Sequence, residues 1–562
     1  MGQVSVDDRH DLGLLRSAAG YVLAALLTVL LLTAVACPRD PERLSASEVT
    51  HLAAAQSLIH DMDWQFGRPD KERLAEFSRS AEDLRLVSSN SPGGQSYDVT
   101  PVYPMVLAPV VWLAPLRGPA VVNVLLLVVA VVAATKSLGQ RLGQTAVAVI
   151  AVCLFASVMY RSVFLFGPAM LLAACVAIAF RLVLRHEEPA AHGLQEVYRP
   201  ADTSSRAGGR GLAIGVFLGL AAIYHPLYLF LVIPAATAAP PDRRRSGLTG
   251  LIVGLAVVLT ASFLSGGLWG VSADHLGGAF GEELQGSSGL TAWNLLYLAV
   301  GRNVGLFLYF LPLVALLGLW KGGSARSMLV VTALLGILTY LVVAPFNFFG
   351  GPTAIGNGWA IPWFVLLWFV PTTPLPRGWL VATVLLAVPG MYPTWLAPSV
   401  EPITAKGEYR HSSGRFHLFL PLETTQENLP PGEVMGNRFW IRSMSFEARV
   451  SGASRWLLTG EGWTELHLAA PVELAAVHLQ FGPQAEAALE VRGADLGDMV
   501  LLPDGGVGFR LENLRRKGLH PMWWSREKYF NYVLQFHMPM EEVRAQTLSI
   551  TAIAADLERT KP

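Results

Sequence analysis

The feature that most constrains this chain is a succession of apolar runs, almost free of charge, from Ser17 to Leu396. Inside hydrocarbon every backbone N–H and C=O must find a partner within the protein, so such runs fold as helices. The first, Ser17 to Ala36, is close to the roughly 20 residues a helix needs to cross the apolar core of a bilayer. Others follow at Ala120 to Ala134, Gln144 to Tyr160, Val163 to Leu184, Gly211 to Ile223, Leu227 to Ala239, Leu248 to Trp269, Asn303 to Trp320, Met328 to Ala344, Gly358 to Val370 and Trp379 to Leu396. Together they predict about 11 spans and a polytopic α-helical membrane protein. Only 15% of residues are charged, against roughly 25% in a soluble domain, which excludes a cytosolic globule. Lys+Arg and Asp+Glu both total 42, so no basic excess exists to neutralise a nucleic-acid backbone. Of the three cysteines, Cys153 and Cys175 sit within apolar runs, which leaves neither a disulfide framework nor a zinc site.

Charge asymmetry sets the expected topology. Pro101 to Leu116 is apolar but short and interrupted by Pro104, Pro109 and Pro115. Were it to cross, the Lys136/Arg141 loop would share a side with the acidic segment 37–100, which holds seven Lys/Arg against eleven Asp/Glu. It is therefore read as interfacial or re-entrant. With the amino terminus cytoplasmic, Arg181/Arg185/Arg206/Arg210, Arg243-Arg244-Arg245, Lys321/Arg326 and Arg377 all face the cytoplasm. Arg199 to Arg210 reads as a flexible loop, and the short halves around His225-Pro226 as a tight pair of helices. The segment 37–100 and the loops around Arg161-Ser162, His225, Gly270 to Thr291 and Pro345 to Asn357 then converge on the outer side.

The composition changes near residue 400, which divides the chain into a membrane domain, 1–400, and a second domain, 401–562. Alternating stretches at Arg415 to Leu420, Trp463 to Leu468, Val477 to Phe481, Leu489 to Val491, Val507 to Leu511 and Tyr532 to Phe536 predict antiparallel strands. Their spacing suggests an extracytoplasmic β-sandwich.

Four stretches of the membrane domain carry a family resemblance. The first is Ala46-Ser47-Glu48-Val49-Thr50-His51, followed by a helix rich in Ala, Gln and Ser and by Asp61-Met62-Asp63. Asp98 to Pro109, Asn294 to Leu313 with Gly301-Arg302-Asn303, and Gly350-Gly351 to Trp359 follow in order. This series resembles the GT-C superfamily of polyprenyl-phosphate-sugar-dependent glycosyltransferases, in the protein O-mannosyltransferase and aminoarabinose transferase group. The resemblance implies a GT-C-like fold and a hexosyl or pentosyl transferase. Its donor would be a polyprenyl-phosphate-linked sugar drawn from membrane lipid, and its acceptor a hydroxyl on a glycan, lipid or protein at the outer face. It also implies that Glu48 accepts the acceptor's proton, with Ser47, Asp61 and Asp63 in the supporting loop.

Two departures stand beside it. Ser47 replaces the first acid of the family's pair, and Asn357 occupies a position where many relatives have Arg. A phosphate leaving group needs a fixed cation or a divalent metal ion to take up its charge. The outward candidates are Arg161, Arg302 and His225, Asn357 is a further candidate for holding the donor, and no metal-ligating cluster is read. Trp463, Trp523 and Trp524 could stack on an acceptor glycan, although aromatic residues serve equally as sandwich core. The alternative is a catalytically degenerate relative that binds or scaffolds a lipid-linked glycan. A transporter predicts ionisable groups at mid-membrane, and the centres of these runs hold almost none.

Overall fold

The computed structural model describes residues 18–41, 44, 46–77, 84, 86–88, 95–97, 99–143, 145–184, 203–237, 244–264, 295–296, 298–301, 305–318, 324–343, 360–372 and 375–396, together with ten strands between 438 and 554. The first apolar run forms α1 (Ala18–Ala36), whose outward Tyr21, Val22, Val29 and Leu32 are more than half exposed, as suits a helix surrounded by lipid. α2 (Ala46–His60) follows, built on the good helix formers Leu52 and Ala53 to Ala55 and buried on almost every side. A small three-stranded sheet, β1 (Gln65–Phe66), β2 (Leu86–Ser88) and β3 (Gln95–Tyr97), with α3 (Arg68–Ala75), closes this segment.

The stretch read as interfacial forms the short α4 (Val102–Val111). One side of it packs through Tyr103, Leu107 and Val111, while Met105 and the following Trp112 and Leu113 are exposed. α5 (Gly118–Leu142) is 25 residues long, well beyond the run that predicted it. α6 (Thr145–Phe155) breaks by 68° into a 3-10 helix, Val158–Phe164, every residue of which is buried. α7 (Ala169–Leu184) completes the first packed group.

α8 (Thr203–Ala222) corrects the expectation for Arg199 to Arg210: the helix already begins at Thr203 and is 20 residues long, not a short half. It packs closely on α10 (Arg244–Leu264), after a 3-10 helix, Pro226–Leu231, and α9 (Val232–Thr237). The contact is backbone on backbone. A Cβ at Gly215 would lie 2.1 Å from the Leu251 carbonyl oxygen, and one at Gly250 2.2 Å from that of Gly208. Small residues thus do for this pair what they do in membrane helix packing generally.

α11 (Leu306–Tyr309), α12 (Leu311–Gly318), α13 (Ser324–Val343), α14 (Ile361–Leu367) and α15 (Arg377–Leu396) follow. α14 is buried along its whole length. Arg326, grouped by sequence with the cytoplasmic positive charges, is only 5% exposed. Its Nη1 donates to the carbonyls of Phe369 (2.5 Å) and Pro371 (2.7 Å), which satisfies acceptors just beyond the end of α14.

Among the described residues, α1, residues 118–139 of α5 and residues 244–262 of α10 are long and apolar enough to cross a membrane, and the bent α6 pair passes the same test as one unit. Six shorter apolar helices accompany them.

From Arg438 onward the described elements are strands. One five-stranded sheet orders β5 (Trp456–Leu457), β13 (Thr547–Ala554), β7 (Leu474–Phe481), β10 (Val507–Arg510) and β9 (Met499–Leu501). The other orders β11 (Leu519–Pro521), β12 (Lys528–His537), β6 (Trp463–Ala470) and β4 (Arg438–Arg442), with β8 (Glu490–Arg492) paired to β12. β4 lies outside the stretches expected as strands and runs parallel to β6, with Phe439 opposite Leu466, whereas the other described pairings between these strands are antiparallel. Arg415 to Leu420 lies outside the described residues.

Candidate functional site

Glu48 lies in the first turn of α2, where the positive end of the helix dipole favours a carboxylate. It is nevertheless 6% exposed, so its charge needs partners within the protein. Arg39, from the segment that leaves α1, supplies one: its Nη2 lies 3.3 Å from Oε1 and 3.4 Å from Oε2. The backbone N–H of Phe166 donates to Oε1 at 3.0 Å. Arg39 is itself 7% exposed, so the two side chains form a buried ion pair. Ser47, the neighbour on the helix, is half-buried.

Phe166 stands in the turn between the 3-10 helix Val158–Phe164 and α7, and Arg161 lies in the last turn of that 3-10 helix, 6% exposed. Asn123 of α5 holds this turn. Its Nδ2 donates to the carbonyls of Val163 (3.2 Å) and Leu165 (2.8 Å), and its Oδ1 accepts from the Tyr103 hydroxyl at 3.0 Å. Tyr103 in turn packs edge-on against His51 of α2, ring centres 5.2 Å apart. As the second residue of α4, Tyr103 has a backbone N–H with no intrahelical acceptor, and the Tyr224 hydroxyl takes it at 2.7 Å.

His225 follows Tyr224. Its Nδ1 accepts from the Leu227 N–H at 3.3 Å, so the ring caps the 3-10 helix opened by Pro226. Its ring packs edge-to-face with those of Tyr228 and Tyr340.

Asp61 and Asp63 belong to a different cluster. Arg73 of α3 is hydrogen-bonded to Asp61 and, at 2.6 Å, to Asp70. Asp63 accepts from the Ser57 hydroxyl at 2.9 Å and from the Gln65 N–H at 3.2 Å. Asp70 takes the Gly67 N–H at 2.8 Å. Partial burial works against the Arg73 charge, but the hydrogen bonds and charges of Asp61 and Asp70 outweigh it and raise its pKa above the usual value. Between the two aspartates, Met62 is 85% exposed at a left-handed φ of 56°.

The structure thus brings Glu48 together with Arg39, the Phe166 amide and the Asn123–Tyr103–Tyr224 chain, and places Asp61 and Asp63 in a separate surface cluster. Arg302, Asn357, Trp523 and Trp524 lie outside the described residues, as does the Gly350 to Trp359 loop. Trp463 begins β6, in register with His537 of β12. Among the described residues no three His, Cys, Asp or Glu side chains gather as a metal site, and the Glu48 oxygens already face Arg39; this donor set does not suit a divalent cation.

Sequence reasoning passed over Arg39 and Asn123. Arg39 carried a signal, a cation just beyond the expected outer end of the first span, against the positive-inside rule. Asn123 carried another, a lone amide within an apolar run.

These features define an integral membrane protein with a buried, ion-paired carboxylate on the helix that follows its first apolar helix. No protein-family model matches the sequence, and no curated protein does. Among solved structures the chain is similar to a crystal structure of ArnT from Cupriavidus metallidurans bound to undecaprenyl phosphate, at 15% sequence identity and a TM-score of 0.37. The match covers 63% of this chain and 60% of that one, less than two thirds of the neighbour's length.

Proposed function

We propose that this protein is a membrane glycosyltransferase of GT-C type, which moves a sugar from a polyprenyl-phosphate carrier to an acceptor hydroxyl at the outer face of the membrane. The observation that carries the reading is Glu48. It is a charged side chain withdrawn from water, oriented by an arginine and a backbone amide, within the stretch that resembles the family's first outer loop. In the proposed step the acceptor oxygen attacks the anomeric carbon and passes its proton to Glu48. The bond from that carbon to the phosphate oxygen breaks, and the lipid phosphate leaves with the electron pair. Arg39 and Arg161, with Arg302, supply positive charge toward that phosphate. The amino terminus is cytoplasmic in this proposal. Residues 401–562 form an outer β-sandwich domain in which Trp463, Trp523 and Trp524 stack on an acceptor glycan.

One observation favours a second reading. Arg39 lies across both carboxylate oxygens and Ser47 replaces the expected acid, so Glu48 could serve architecture in a protein that only holds a lipid-linked glycan.

The test is transfer from a panel of polyprenyl-phosphate sugars by the full chain in nanodiscs. Turnover of one donor, abolished in Glu48→Gln and retained in Ser47→Asp, is the expected result. Binding of a donor that is never turned over would replace the enzyme by the binder.

A further inference from the structure

A fully buried amide inside an apolar helix is costly unless its hydrogen bonds are made, and Asn123 has 0% exposure. Both of its donor directions are committed to one turn, the carbonyls of Val163 and Leu165, and its acceptor to Tyr103. The residue after Leu165 is Phe166, whose N–H grips Glu48. We infer that Asn123 is a positioning residue for Glu48, acting through the 163–166 turn, and that Tyr103 orients its amide; this rests on the proposed role of Glu48.

The physical case is one of register. The Leu165 carbonyl and the Phe166 N–H belong to one planar trans peptide unit, so fixing that carbonyl fixes the direction of the amide that Glu48 accepts from. A leucine in place of Asn123 would preserve bulk and free the turn. An aspartate would keep an acceptor for the Tyr103 hydroxyl while setting carboxylate oxygens against two carbonyls. Neither change touches Glu48, Arg39 or Phe166.

The carboxylate would then sit on its helix with one donor fewer. A displacement of about 1 Å in a reacting group costs on the order of 10² in rate. The loss should fall more on kcat than on KM, since the turn meets Glu48 directly through the Phe166 amide, whereas Arg161 lies in the adjoining 3-10 helix.

The experiment uses the full chain in nanodiscs with variants Asn123→Leu, Asn123→Asp and Tyr103→Phe. Amide hydrogen exchange is read by mass spectrometry on the peptides covering 158–167 and, as an internal control, 171–183. Exchange at 163–167 should rise about tenfold in the Asn123 variants and less in Tyr103→Phe, with the control peptide unchanged. Transfer with the donor found for the wild type should show kcat down about 10- to 100-fold and KM within about threefold. Unchanged exchange at 163–167 would overturn the inference, as would a loss confined to KM. If both Asn123 variants fail to fold, Tyr103→Phe decides it, because that change removes one hydroxyl. If exchange rises while Glu48→Gln transfers as well as wild type, the bracing stands and the proposed role of Glu48 fails.

Discussion

The segment 37–100 holds two groups of carboxylates that differ in how their charges are satisfied. Asp61, Asp63 and Asp70 close on partners from within the segment, namely Arg73, Ser57 and the amides of Gln65 and Gly67. Glu48 is satisfied from outside its own helix, by Arg39 on the chain leaving α1 and by Phe166, 118 residues away in sequence. The first arrangement folds a local unit. The second ties that unit to the apolar helices, through a carboxylate kept from water. Sequence acidity alone does not distinguish them, and neither does burial, since Asp70 is as buried as Glu48; the origin of the partners does.

The largest expected effect separates the two groups directly. Glu48→Gln keeps the size of the side chain but cannot take a proton, and should lower transfer by about 10² to 10⁴. Asp61→Asn and Asp63→Asn, assayed alongside, should stay within about threefold of wild type. Equal losses in all three would erase the distinction.

A stability effect comes next. Arg39→Met leaves Glu48 buried without its cation, which typically costs about 3–5 kcal/mol, whereas the double change Arg39→Met/Glu48→Leu should recover most of the loss. Thermal unfolding in detergent measures both. A double variant no more stable than Arg39→Met would mean that the ion pair is not the source of the cost.

Smaller effects are expected in the surface cluster. Met62→Gly removes a side chain from a left-handed position and should raise stability by about 1 kcal/mol, less the entropy that glycine adds to the unfolded chain. Asp61→Asn weakens a partly exposed pair in which Asp70 still compensates Arg73, and should cost about 1 kcal/mol, with the difference shrinking in high salt. A cost near that of Arg39→Met would place Asp61 in the same class as Glu48.

Much of the helical frame was legible because burial in lipid leaves a run of apolar residues as its trace. α1 ends at Ala36, where the first apolar run was expected to end, and β6, β7 and β12 contain the alternating stretches that announced them. The failures have physical causes. The polar, Gly- and Ser-rich stretch Arg199 to Arg210 suggested a loop, yet polar residues at the end of a helix extend it beyond its apolar part, and α8 includes Thr203 onward. Arg326 counted as a surface charge because sequence does not reveal that carbonyls beyond α14 await a donor. Glu48 was legible as an acid near the start of a helix. Its partners were not, because Arg39 and Phe166 meet it, and Asn123 holds the turn that carries Phe166, only once α1, α5 and the turn before α7 have packed.

The most direct test of the central claim is a single-turnover experiment with labelled donor prebound to the full chain in nanodiscs. Wild type and Glu48→Gln should bind the donor with equal affinity. On addition of acceptor, wild type and Asp63→Asn should transfer the sugar in one fast phase, while Glu48→Gln holds it unreacted. Transfer by Glu48→Gln at the wild-type rate would contradict the assignment of the buried carboxylate as the base.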